Sequence, residues 1–200
     1  MKHSLASESS VAWTIYQKYG NALPLYRQEK DWEQYGIELS RTTLANWIIY
    51  CSKHYFDPLY QFFHRKLLER NFLMADETPV QVLNEPGRRA ESKSYMWVYR
   101  TGEDGLPPII MYGYSETRAG ENAIRPFTVG RKNWLFSDSP AGATASATVY
   151  SIVEMAKAHE LNIYEYIKYI LSQRPSKDWS DEQLETIAPW NQDVIEKCKR

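Results

Sequence analysis

The stretch that most limits how this chain can fold is Phe72-Leu73-Met74-Ala75-Asp76-Glu77-Thr78-Pro79-Val80-Gln81-Val82-Leu83. Apolar residues run up to an acidic pair, and Val80 and Val82 then alternate with polar neighbours. That alternation predicts a strand with one covered face. Asp76 falls near the end of a short strand, inside a hydrophobic layer. A carboxylate in that position has to be paired, hydrogen-bonded or bound to a cation, because burying a bare charge is costly. Two readings follow from the residues alone. Asp76 is a ligand for a hard cation, since carboxylate oxygens suit Mg²⁺ or Mn²⁺. Alternatively, it caps a turn before Pro79, a position that aspartate often takes.

The rest of the composition narrows the class. Two hundred residues suit one domain or two small ones. A hydrophobic fraction of 43%, with 7 Trp and 15 Tyr, is enough for a core and argues against disorder. The net charge of −1 excludes the strongly basic class of nucleic-acid binders but leaves room for a local patch. Cys51 and Cys198 are far apart and lack metal-ligand spacing, so reduced thiols in a cytoplasmic protein are the simplest account. No apolar run approaches the roughly 18 residues of a membrane span, and none follows Met1, so a soluble protein with no membrane partner is expected.

Before the acidic strand the chain reads as helices. Apolar residues at 12, 15, 16 and 19 make one stripe, which Gly20-Asn21 ends. Pro24 opens a second helix to about Tyr35, and Gly36 closes it. Ser40 caps a third, with Leu44, Trp47 and Ile48 on one face. A short helix, a glycine turn and a helix beginning Ser-Arg-Thr-Thr have the outline of a helix-turn-helix, with Arg41, Thr42 and Asn46 as candidate DNA contacts. A plain αα-hairpin packed on the core fits the same residues. Asp57-Pro58 starts a fourth helix. After the acidic strand, Tyr95 to Arg100 and Ile109 to Tyr114 read as two more strands in an antiparallel meander. Arg125, Arg131 and Lys132 form a compact basic set suited to phosphate contact, or else a solvated charged face. A small-residue run from Ala141 leads into an amphipathic helix carrying Val149, Ile152, Val153 and Ala156. A helix over Tyr164 to Leu171, a weak one from Trp179 and a charged tail complete the chain.

Four segments together point to a family: Asn21-Ala22-Leu23-Pro24-Leu25-Tyr26-Arg27-Gln28-Glu29, the Asp76 strand, Lys93-Ser94-Tyr95-Met96-Trp97-Val98, and Glu121-Asn122-Ala123-Ile124-Arg125-Pro126 followed by Gly130-Arg131-Lys132-Asn133-Trp134-Leu135-Phe136. The sequence resembles bacterial transposases of the insertion sequence sixty-six family over nearly its whole length. The resemblance implies a ribonuclease-H-like catalytic fold with an Asp-Asp-Glu triad. In that family the triad holds two divalent ions, Mg²⁺ or Mn²⁺, which activate water and then a 3′-hydroxyl for in-line attack on DNA. Several carboxylates are needed to hold two cations about 4 Å apart over the attacking and leaving oxygens. Asp76 matches the first aspartate and Glu121 the glutamate, which makes both the expected catalytic and metal-binding residues.

One departure from the family pattern is large. The family places a long segment, carrying the second aspartate in an Asp-Gly-Tyr context, between its Arg-Ala-Gly and Asn-Ala-Ile-Arg-Pro motifs. Here Gly120 runs directly into Glu121, and the only intervening aspartate is Asp104, in an unrelated loop. The family's N-terminal metal- and DNA-binding region is likewise expected to be absent, since Cys51 and Cys198 cannot build a zinc site. The expectation is therefore a transposase-derived, internally deleted and inactive copy, or a non-catalytic module that binds the element's DNA ends, itself or full-length transposase. The expected fold is α+β, an incomplete ribonuclease-H-like core. A helical part over 1–71, a three-stranded antiparallel meander within 72–120 and a helical part over 121–200 make it up. The stripe at Val149, Ile152, Val153 and Ala156 is expected to cover the meander at Val80, Val82, Trp97 and Ile110.

Overall fold

A computed structural model describes residues 6–118 and 136–199. The chain opens with α1 (Glu8–Ile15), set by a capping box in which Ser7 and Ser10 exchange side-chain and backbone hydrogen bonds. A π-helical turn, Tyr16–Gly20, prolongs it. Helix α2 (Leu25–Gln34) follows Pro24 and stops before Gly36, whose φ of 73° needs a residue without a Cβ. Buried Gln28 ties α2 to α1 by donating to the Thr14 carbonyl at 3.3 Å and the Leu23 carbonyl at 3.1 Å.

Ser40 caps α3 (Arg41–Cys51), accepting from the Thr43 amide. A separate fourth helix was expected from Asp57-Pro58, but α3 runs on through the π-helical turn Ser52–Phe56 into α4 (Asp57–Leu68). Pro58 explains the turn. Its ring crowds the carbonyl four residues back and it offers no N–H, and a wider turn just before it accommodates both effects.

The structure is α+β, and its sheet contains the three expected antiparallel strands. These are β1 (Leu73–Val82), β2 (Lys93–Thr101) and β3 (Ile110–Ser115). A two-residue strand, β4 (Phe136–Ser137), pairs parallel to β1, giving the order β3-β2-β1-β4. In the β1–β2 register Asp76 lies opposite Val98, and in the β2–β3 register Val98 lies opposite Tyr112. The link between β1 and β2 is clasped by Glu85, which is 5% exposed and receives hydrogen bonds from Ser94, Tyr114 and, at 2.6 Å, Arg88.

Helix α5 (Pro140–Ala158) incorporates the small-residue run that was expected to precede it. It packs along the outer edge of β3. The Tyr112 amide donates to Ser151 Oγ at 2.8 Å and the Ile110 amide to Met155 Sδ at 3.1 Å, so α5 side chains satisfy part of the strand's free edge. Its stripe is buried as expected, and of the four expected partners Ile110 packs against the same core while Val80, Val82 and Trp97 do not. Val149, Ile152, Val153 and Ala156 join the main core with Ile109 and Met111. Val80, Val82 and Met96 are instead covered by Ala143 and Ala147, which precede the stripe on α5. Trp97 belongs to the other face, because side chains alternate along β2.

Helices α6 (Ile163–Gln173), α7 (Asp181–Glu185) and α8 (Gln192–Lys197) finish the chain. The segment read as a charged tail is thus partly helical, with Val194 and Cys198 buried. The main core draws on residues from Val11 to Cys198, so helices at both ends of the chain share it with β3. Cys51 and Cys198 are free and buried, and burial pushes their thiols up to about 12 and about 11. Among the described residues no helix is long and apolar enough to cross a membrane.

Candidate active-site strand and nucleic-acid cleft

Asp76 is the fourth residue of the ten-residue strand β1 and is half-buried. Strand alternation puts it on the face shared with Thr78, Val80 and Val82, and the pairing adds Val98 and Tyr112 across the sheet. No hydrogen bond or ion pair holds its carboxylate among the described residues. A cap on its own turn does not fit, because the chain stays extended through Val82. The neighbouring Glu77 points to the opposite face and is paired with Arg118 at 2.7 Å. On that face the Trp97 indole N–H is buried without an acceptor, and its ring stacks on Tyr99.

Asp104 has a structural part. Arg70 grips its carboxylate at 2.7 and 2.8 Å, and the Leu106 amide donates to it at 3.1 Å. The Arg70 hydrogen bonds, with the loop amide, hold the Asp104 carboxyl below its ordinary value. It closes the β2–β3 loop and does not replace a second acidic ligand. Glu121, Arg125, Arg131 and Lys132 lie outside the described residues.

The fit to a divalent ion can be tested on what remains. Asp76 supplies one hard oxygen ligand with no competing protein partner among the described residues. Those residues contain no group of three or more His, Cys, Asp or Glu able to hold a metal. They therefore provide one ligand of the set that a two-ion centre needs.

The DNA-contact candidates of α3 sit together. Arg41, Thr42 and Asn46 are exposed, while Leu44, Trp47, Ile48 and Cys51 on the other side of the helix are buried. The three exposed residues line a cleft of about 630 Å³ between α3, the end of the α1 extension and the β4–α5 turn. Sequence reading passed over two of its contributors. Neither Lys18 nor Ser137-Asp138-Ser139 was singled out in the sequence. Nothing local marks either as facing Arg41, because only the packing of α5 against α3 brings them there.

The α+β core carries Asp76 on an inner strand of its sheet, and the comparisons specify the family. The family model described as "Transposase IS66 family" matches residues 3–121 and 119–145. The chain belongs to that family. It is 27% identical over 129 residues to the uncharacterized protein y4qI of Sinorhizobium fredii, covering 62% of this chain and 24% of that protein. It is also 30% identical over 132 residues to the uncharacterized protein y4jD of the same organism, covering 62% of this chain and 25% of that protein. The chain therefore spans about a quarter of the length of these curated relatives. No solved structure matches it significantly.

Proposed function

We propose that this chain is a transposase-derived protein of an insertion sequence, built on an incomplete ribonuclease-H-like core and inactive in DNA cleavage on its own. The observation that carries this reading is the family match itself, which falls in two segments meeting at residues 119–121. That junction coincides with the place where the family's second aspartate is missing from the sequence. Three parts, 1–71, 72–120 and 121–200, contribute in turn helices, the sheet with Asp76, and the helices that cover it. A cytoplasmic setting goes with this reading.

In this proposal Asp76 and Glu121 would hold Mg²⁺ or Mn²⁺, and the metal's contribution would be to polarise a phosphodiester and its attacking oxygen. Asp76, half-buried and without a protein partner among the described residues, is suited to hold a cation on the sheet. With two carboxylates and no third, binding should be weak, and Mn²⁺ should bind better than Mg²⁺. Water-proton relaxation with Mn²⁺ is expected to show one weak site, lost in both Asp76→Ala and Glu121→Ala. Equal binding by all three proteins would remove both residues from the site. With element-end DNA and either metal, no specific cleavage is expected. Robust cleavage abolished by Asp76→Ala would overturn the inactive reading.

A second reading, a non-catalytic module that binds DNA or full-length transposase, is favoured by the exposed row Arg41, Thr42 and Asn46 beside an open cleft. Arg125, Arg131 and Lys132 are its further phosphate contacts. A gel-shift titration at two salt concentrations tests it, because phosphate contacts weaken steeply with salt. Absence of any shift at low salt would exclude it.

A further inference from the structure

We propose that the cleft between α3 and the β4–α5 turn binds a single DNA strand, one or two nucleotides deep, with phosphate at the Lys18 and Arg41 rim. The inference rests on the reading of the chain as a DNA-handling protein and specifies which form of DNA this surface takes.

Shape is the first argument. A recognition helix reads duplex DNA as a convex ridge pushed into the major groove. Here Arg41, Thr42 and Asn46 form one wall of a concavity whose opposite wall is the β4–α5 turn. A duplex cannot enter such a cleft, whereas a strand can. Its volume of about 630 Å³ lies in the range of sites that enclose one small organic ligand.

Charge is the second argument. Lys18 and Arg41 both line the cleft, and neither forms an ion pair among the described residues. Lys18 is half-buried, and burial holds its ammonium below the ordinary value, so an anion at that position would relieve a desolvated cation. The single carboxylate on the rim, Asp138, already accepts a hydrogen bond from the Asn84 amide at 2.9 Å. The lining thus carries two cations and one carboxylate, while the nearby Glu29 carboxylate, outside the lining, is taken up by the Arg41 backbone amide at 3.0 Å.

The lining supplies the third argument. Ala45, Ile48 and Ala145 give the cleft apolar surface beneath the charged rim. Proteins that bind single strands combine a cationic track for the backbone with aromatic side chains on which bases stack, and Tyr19 is the aromatic residue in this lining. The side chains of Thr42 and Asn46 have no hydrogen-bond partner among the described residues and are available to phosphate or base edges.

The test is fluorescence anisotropy with a fluorescein-labelled oligothymidine strand and with a duplex of equal length, each at two salt concentrations. The wild-type protein is expected to bind the strand more tightly than the duplex. The Lys18→Ala/Arg41→Ala double variant should weaken strand binding roughly tenfold and lower the log–log salt slope by about 1.4, as expected for two lost phosphate contacts to a single strand. Thr42→Glu should also weaken it. That change places an acidic side chain in the first turn of α3, which the helix dipole favours, so the variant stays folded. Strand binding left intact in both variants would overturn the cleft while leaving the DNA reading standing. A preference for duplex that both variants abolish would overturn the single-strand assignment in favour of a helix-turn-helix. No binding of strand or duplex by the wild type would overturn the DNA-binding reading, and the cleft with it.

Discussion

Phe62→Ala is expected to lower the free energy of unfolding by about 3–5 kcal/mol, the usual cost of removing a fully buried aromatic ring. Phe62 lies on α4 with no exposed surface, and its ring meets Phe63 at 5.9 Å and Trp190 at 6.1 Å between centroids. It joins the N-terminal helices to the last part of the chain. The cavity left by alanine would therefore be felt across the shared core, which runs from Val11 to Cys198. Urea unfolding followed by tryptophan fluorescence and by circular dichroism should give one coincident transition, moved to lower urea with an unchanged slope. A loss below about 1 kcal/mol, or separate transitions by the two probes, would mean that the helices at the two ends do not fold as one unit.

Glu85→Ala should cost about 3 kcal/mol at neutral pH, because it leaves Arg88 without its carboxylate in a mostly enclosed network. Burial by itself raises the Glu85 carboxyl. Hydrogen bonds from Ser94 and Tyr114, with the Arg88 guanidinium, outweigh it and hold the group below its ordinary 4.5. A carboxyl lowered by folding adds stability that is fully present above its unfolded value. That stability is lost as pH falls through the folded value. The difference between wild type and variant should therefore be largest at pH 6 to 8 and narrow progressively in acid below about 4.5. The burial of Tyr114 and its bond to Glu85 push its phenol up to about 12, so it keeps donating across that range. Thermal melts of both proteins across this pH range provide the measurement. A gap that stays constant into acid would assign the effect to lost packing and not to the charged network. The clasp matters for the candidate site because it fixes the β1–β2 register that places Asp76 opposite Val98.

Much of the architecture was legible because it depends on short-range patterns. Ser40 before an i, i+3, i+4 apolar set gave α3 its start, and Pro24 and Gly36 bracketed α2. Alternation around Val80 and Val82 located β1 within a residue of its observed start. The errors came where a local signal was overruled by context. The α3–π–α4 continuity was missed because Asp57-Pro58 looks like a fresh helix start, whereas a π turn lets the chain pass through it. The run Ala141 to Ala147 was expected to lead into the helix and not to form its first turns. It is helical from Pro140, capped by Ser139, and its small side chains pack on Val80 and Val82. β4 is too short for any periodicity to reveal.

The family, the acidic strand and the exposed polar face of α3 are properties of the sequence, since motif order and side-chain period are local and survive without knowledge of contacts. Which residues share a site is a different kind of fact. Tertiary packing decided that Asp104 is occupied by Arg70, that the Asp76 carboxylate has no hydrogen bond or ion pair among the described residues, and that Lys18 and Arg41 line one cleft with the β4–α5 turn. The reason is physical: ion pairs and cavities form between elements distant along the chain. Their energies depend on distance and burial, which local patterns do not encode.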